Sequence, residues 1–289
     1  MTTEQKQELR NWLKKQIEES GLSQNNYGKT VFDWTPGTTS NVLTKGEVEG
    51  KVSDKTWQQI QQYKTSKQGY VGVETVNYNS VITICKLAYN VKSALFIEGE
   101  GGYGKSYALK KFAEQQAEYK VYYIDIALTG STGKKVVAEI MRLTGEYKAG
   151  SIQTQLVEIR KRLSREKALL ILDETSALQS YHVTILKDIM TTLDEVCGIV
   201  LAGTHYFLKN LNNGANRNRH LYNETRDRIF MHQKTLVAPT DADAVAIFKA
   251  NGLTAEQIQL VTGNGKYSWQ NKRTYRGIRD AVRMMKMIS

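Results

Sequence analysis

Gly99-Glu100-Gly101-Gly102-Tyr103-Gly104-Lys105-Ser106 fills every fixed position of the pattern GxxxxGK[ST]. Its flanks suit that pattern. Ser93-Ala94-Leu95-Phe96-Ile97-Glu98 is a short apolar run that predicts a strand, and a helical pattern starts at Tyr107-Ala108-Leu109-Lys110. Gly99, Gly101, Gly102 and Gly104 let backbone N–H groups turn inward around phosphate oxygens, reinforced by the positive end of the helix that follows. Lys105 is expected to reach the terminal phosphates of a nucleotide, the Ser106 hydroxyl to ligate Mg²⁺, and Tyr107 to belong to the same site.

Beyond this loop three more apolar runs follow: Val121-Tyr122-Tyr123-Ile124-Asp125-Ile126, Ala168-Leu169-Leu170-Ile171-Leu172-Asp173 and Gly198-Ile199-Val200-Leu201-Ala202-Gly203. Helical patterns at about 105–118, 134–144, 152–165 and 178–195 alternate with them. Continuous apolar strands between amphipathic helices predict an α/β fold, a parallel sheet covered by helices on both faces. The third run ends in Asp173-Glu174, about 70 residues after the loop. A carboxylate at such a strand end can hold the Mg²⁺ shell, the role expected of Asp173. A second one directly after it can take a proton from attacking water, which makes Glu174 the candidate general base and hydrolysis of ATP the expected reaction. The fourth run leads into Thr204-His205. Thr204 is expected to orient the water, whereas His205 reads as structural. Arg226 and Arg228 are candidates to reach a neighbouring subunit's nucleotide in trans, Arg228 somewhat more than Arg226, with pairing to Glu224 and Asp227 as the alternative. Arg276, entering the last helical stretch, is a candidate contact to the terminal phosphate.

The ends of the chain have a different texture. Leu9, Trp12, Leu13 and Ile17 form a helical stripe, Gly21 closes it, and three short helical patterns follow in the first 65 residues. A tight turn at Trp34-Thr35-Pro36-Gly37 precedes the small polar helix containing Thr39, Ser40 and Asn41, which suits a helix-turn-helix with those three residues facing DNA. A polar stretch at 64–72 reads as a linker. After Pro239 the strand texture stops. The expected domains are therefore a helix-turn-helix at 1–65, a nucleotide-binding α/β domain at 66–235 and a small helical lid at 236–289.

The 289 residues carry 40 Lys and Arg against 29 Asp and Glu, a net charge of +11. A surplus of that size suits a polyanionic partner, through release of the counterions condensed on its phosphates, and equally a solubilising surface charge. Cys85 and Cys197 sit far apart among apolar neighbours, with no metal-binding spacing, and read as buried free thiols. No apolar run approaches the roughly 20 residues of a membrane span, and the N-terminus lacks a secretion-signal profile, so no membrane partner and a cytoplasmic location are expected.

The phosphate loop, the Asp-Glu strand, the polar residue after the fourth strand and the two arginine positions, in this order, resemble an AAA+ ATPase. More narrowly, the chain resembles the MuB/TnsC family of transposition regulators, the phage Mu member most of all. The N-terminal segment Leu22–Leu43, the helix after Val73-Glu74-Thr75, the strand Leu201-Ala202-Gly203-Thr204-His205 and the Arg276 pattern carry that likeness. The resemblance implies ATP-dependent assembly into filaments or rings on double-stranded DNA, recruitment or stimulation of a transposase, and disassembly on hydrolysis, in a bacterial, phage or mobile-element protein. It also implies DNA contacts after the second strand, where Thr132, Lys134 and Lys135 stand, and at the next loop, Lys148 and Ser151. Small residues and lysines near helix starts are chemically suited to phosphate-backbone contact with little sequence preference. A helicase-loader-type ATPase and a nucleotide-switched helix-turn-helix transcription regulator are the alternative readings. The first should recognise a helicase through its N-terminal part, and the second has less need of Glu174.

Overall fold

The computed structural model describes residues 1–44, 52–67, 70–146, 148–179, 182–217, 219, 221–230, 233–263, 265 and 268–288. Residues 68 and 69 of the expected linker, and 180 and 181 of the helix expected over 178–195, lie outside the described residues. The chain divides into two compact units.

One unit comprises Met1–Val73, Ala244–Ser268 and Ile278–Ser289. Its first helix, α1 (Thr3–Ser20), opens with a capping box between Thr2 and Gln5 and ends on Gly21 at φ 69°. Ser23 caps α2 (Gln24–Phe32), which turns through Asp33, Trp34 and Thr35 into α3 (Pro36–Thr44). The two cross closely: a Cβ on Gly28 would lie 2.2 Å from the Thr39 hydroxyl. With α4 (Asp54–Lys67) these helices enclose Leu9, Leu13, Tyr27, Trp34, Val42, Leu43, Trp57 and Ile60. Arg10 is buried among them. Its Nε donates to the Val42 carbonyl at 2.8 Å and its guanidinium lies over the Trp57 ring.

The other unit comprises Glu74–Asp243 and Trp269–Gly277. It runs α5 (Val76–Val91), β1 (Ala94–Glu98), α6 (Lys105–Gln115), β2 (Lys120–Asp125), α7 (Ile126–Thr129), α8 (Gly133–Thr144), α9 (Ile152–Leu163), β3 (Ala168–Asp173), α10 (Thr184–Leu193), β4 (Gly198–Gly203), α11 (His205–Asn216), α12 (Tyr222–Phe230) and β5 (Gln233–Thr235). Of the remaining helices, α13 (Asp241–Ala250) and α15 (Tyr275–Ile288) begin in this unit and continue in the first, which also holds α14 (Ala255–Thr262). The four apolar runs form β1–β4, and all the strand pairs are parallel, in the order β2-β3-β4-β1-β5. The fifth strand, Gln233–Thr235, has no apolar run to announce it.

Each strand side chain alternates between two cores, as the pleat demands. Phe96, Tyr122, Ile124, Leu170, Leu172, Ile199 and Leu201 pack with α8 to α12. Leu95, Ile97, Leu169, Ile171, Val200 and Ala202 face α5 and α6, with Tyr123 partly buried against the same layer. Helices thus cover both faces of a five-stranded parallel sheet. Both cysteines are buried in these cores, and burial pushes each thiol up to about 12. Among the described residues no helix is long and apolar enough to cross a membrane.

Candidate nucleotide site

The loop between β1 and α6 turns on two glycines in left-handed backbone, Gly102 at φ 87° and Gly104 at φ 89°, where a side chain would be strained. Gly104 occupies the N-cap position of α6, so the helix begins at Lys105 with its free N–H groups toward the loop. Lys105 is buried, and its Nζ donates to the carbonyls of Gly99 and Glu100. Burial lowers its pKa below the usual lysine range, opposed by the charges of Glu174, Asp173 and Glu100. Glu98 lies level with Gly203 of β4, and β4 also pairs with β3, so the loop after β1 and the end of β3 open on the same edge of the sheet. Ser106 is half-buried one residue further along α6, and Tyr107 is exposed.

Asp173 is wholly buried and carries two hydrogen bonds. Its Oδ1 accepts the backbone N–H of Glu174 at 2.8 Å, and its Oδ2 accepts the Tyr123 hydroxyl at 2.7 Å. Glu174 itself sits at φ 55°, ψ 42°, a conformation that costs a non-glycine residue on the order of 1 kcal/mol. The following turn holds it there. Ala177 donates to the Glu174 carbonyl at 2.9 Å, Thr175 to the Ala202 carbonyl at 3.0 Å, and the Ser176 hydroxyl accepts the Thr204 N–H at 2.9 Å.

In the sheet β4 lies between β1 and β3. The residue that follows it, Thr204, therefore stands between the phosphate loop and Glu174. It is the N-cap residue of α11, yet its side chain makes no capping bond and shares a hydrogen bond with Ser176 at 3.0 Å instead. His205 has a definite partner. Its Nδ1 is 2.9 Å from Oε1 of Glu98, the last residue of β1, whose other oxygen accepts Gln233 Nε2 at 2.6 Å and the Thr235 hydroxyl at 2.8 Å. Burial raises the Glu98 pKa, but the bonds from His205, Thr235 and Gln233 outweigh it and leave the carboxyl below its usual range.

The start of α15 lies against the loop. Tyr275 N–H donates to the Gly102 carbonyl at 2.8 Å, and a Cβ on Gly104 would meet the Tyr275 ring at 3.2 Å. Arg276, next in the helix, is exposed. On α12, Arg226 pairs with Asp227 at 3.0 Å, whereas Arg228 is exposed and has no ion pair among the described residues. Glu224 pairs with Lys187 at 3.0 Å rather than with either arginine.

The residues expected to face DNA divide into two groups. Thr132 stands at the N-cap position of α8 without a capping bond, followed by the exposed Lys134 and Lys135. Lys148 is instead paired with Glu158 at 2.9 Å, and Ser151 caps α9 through the Thr154 N–H. Thr39 is only 1 % exposed, packed in the α2–α3 crossing with its hydroxyl donating to the Thr35 carbonyl, so its side chain faces inward and not toward a partner. Ser40 is exposed and Asn41 half-buried.

Sequence reasoning passed over Tyr123, Ser176, Glu98 and Tyr275. The phenol in the second apolar run was its only visible signal, since strand order decides which carboxylate that hydroxyl reaches. The donor set suits Mg²⁺: the Ser106 hydroxyl and the Asp173 carboxylate are hard oxygen ligands. Among the described residues no cluster of three His, Cys, Asp or Glu able to hold a metal occurs.

Residues 89–211 match the family model described as an AAA domain. No curated protein matches the sequence significantly. Solved structures similar to this chain include a Walker-type ATPase of Pyrococcus abyssi, 12% identical over 72% of either chain with a TM-score of 0.43. Drosophila ORC bound to AT-rich DNA and Cdc6 is 13% identical over 81% of this chain and 80% of that one, with a TM-score of 0.40. NtrX from Brucella abortus in complex with ATP is 12% identical over 88% of this chain and 60% of that one, with a TM-score of 0.46. The phosphate loop and the Asp-Glu strand both lie inside the stretch, residues 89–211, that is similar to an AAA-type P-loop domain.

Proposed function

We propose that this protein is an ATP-hydrolysing, DNA-binding assembly factor. In its ATP state it oligomerises on double-stranded DNA, marks a target site and recruits or stimulates a transposase, and hydrolysis disassembles it. The observation that carries the reading is the convergence of Lys105, Asp173, Glu174 and Thr204 at the ends of β1, β3 and β4. A pure nucleotide switch needs the loop and a metal ligand but has less use for Glu174 and a polar residue between it and the loop.

In this reading Lys105 leaves the carbonyls of Gly99 and Glu100 for the terminal phosphates, joining inward-turned N–H groups of the glycine loop and the start of α6. Ser106 and Asp173 hold Mg²⁺, which supplies charge neutralisation at the phosphate oxygens when bound. Glu174 accepts the proton of the attacking water, and Thr204, tied to Ser176, orients that water. Arg276 reaches the terminal phosphate from the start of α15. Arg228, with no ion pair of its own among the described residues, is the better candidate of the two α12 arginines to act in trans on a neighbouring subunit.

Support for the DNA side is the +11 charge and the exposed lysines at the start of α8. Thr132, Lys134 and Lys135 would contact the phosphate backbone there, with Lys148 and Ser151 at the next helix start. The three-residue connection between α2 and α3 and their close crossing support a helix-turn-helix in residues 1–65, reading DNA through Ser40 and Asn41. The helical segment 236–289 would act as the lid. The MuB/TnsC-type role rests on the sequence resemblance, and the transposase is its proposed partner.

Two variants test the enzymatic core. Lys105→Ala is expected to abolish binding of a fluorescent ATP analogue and ATP-dependent retention on duplex DNA. Glu174→Gln should keep nucleotide binding, lose hydrolysis by about 100-fold or more and stay on DNA. Full ATPase activity in Lys105→Ala contradicts the site, and wild-type turnover in Glu174→Gln contradicts the base.

A further inference from the structure

On β2, Tyr123 lies opposite Ile171 of β3 in the parallel register. Its side chain falls on the face that carries Leu169, Ile171 and α6, and the pleat directs Asp173 to that same face. The phenol reaches one step along the neighbouring strand and donates to Asp173 Oδ2 at 2.7 Å. Because the other carboxylate oxygen is engaged by the Glu174 N–H, rotating the wholly buried Asp173 side chain would break two bonds. Each oxygen retains a lone pair for a metal. The ring is steadied in turn, since Lys110 of α6 sits over its face at 5.5 Å and within 3.8 Å of the Asp125 carboxylate.

We propose that Tyr123 is a positioning residue for the metal-binding carboxylate, fixing Asp173 in the one orientation from which it reaches the cation. This rests on the reading of Asp173 as an Mg²⁺ ligand. The phenol O–H donates to one carboxylate oxygen and the Glu174 N–H to the other, so both oxygens are held from outside the metal side. Groups that orient a metal ligand in this way commonly change metal affinity without touching the metal.

The test is a Mg²⁺ titration of the full-length chain holding a fluorescent ATP analogue, read by the metal-dependent rise in nucleotide affinity. Tyr123→Phe keeps the ring and its packing. It should bind the analogue normally in EDTA yet need about tenfold more Mg²⁺ for the half-maximal rise. Tyr122 provides the control, because its hydroxyl donates to Glu166 on the opposite face of the same strand. Tyr122→Phe should leave the Mg²⁺ midpoint unmoved. In an Asp173→Asn background Tyr123→Phe should add nothing. A wild-type midpoint in Tyr123→Phe overturns the proposal, as does an equal shift in both phenylalanine variants, which would indicate lost stability and not lost positioning. A wild-type protein with no Mg²⁺ response at all overturns the metal site itself, an outcome distinct from failure of the Tyr123 step alone.

Discussion

Glu98 ends β1 one residue before the phosphate loop, and its carboxylate joins β1 to β5 through Gln233 and Thr235 and to the start of α11 through His205. A carboxylate accepting three bonds in a nearly dry site makes charge-assisted contacts, so Glu98→Gln should destabilise the ATPase unit by about 1–3 kcal/mol near pH 7. The depressed pKa gives the pH dependence. Glu98 ionises more readily in the folded protein than in the unfolded chain, so its contribution is fully present above the usual carboxyl value of 4.5 and disappears as pH falls through the lower folded value. Urea titrations of wild type and Glu98→Gln should therefore differ by a constant amount from pH 7 to 5 and draw together below 4.5. A gap that persists unchanged at pH 3 would mean that charge is not what Glu98 contributes.

At the scale of elements, α5 is set directly onto β4. Gly198 opens that strand where the helix backbone passes, and an added Cβ would lie 2.3 Å from the Ala88 carbonyl oxygen and 2.6 Å from the Tyr89 nitrogen. Backbone cannot swing aside as a side chain can. Gly198→Ala should therefore cost about 2–4 kcal/mol in denaturant unfolding, and wild-type stability would show that α5 can slide on the sheet. The apolar runs made β1–β4 and their covering helices legible from sequence, because a doubly covered strand must be apolar throughout. The sequence signal failed where an element or contact depends on neighbours. Gln233-Lys234-Thr235 is polar and three residues long, and it is a strand only because β1 offers it an edge. Ser176 and Tyr123 look ordinary in the chain and acquire roles when β4 and β2 flank β3. Thr39 fails in the opposite sense: a polar residue on a short helix reads as surface, but the missing side chain of Gly28 draws α2 onto it.

For the whole molecule, the excess of basic residues has a measurable consequence if Lys134 and Lys135 meet phosphates. Each phosphate contact contributes about 0.9 to the slope of log affinity against log salt, so Lys134→Ala with Lys135→Ala should make that slope shallower by about 2 and weaken binding evenly across duplex sequences. An unchanged slope would move the DNA surface to another face. The exposed Arg228 belongs to this scale as well, because a finger acting in trans has meaning only in an assembly. ATP-dependent assembly on DNA is the proposal that unites the nucleotide site, the basic helix start and the exposed Arg228. Negative-stain imaging of the purified protein on random-sequence duplex DNA, with ATP and then with ADP, tests it most directly. Regular filaments or rings that form with ATP and disperse with ADP are the expected result; isolated particles in both nucleotides, despite bound nucleotide, would contradict the account.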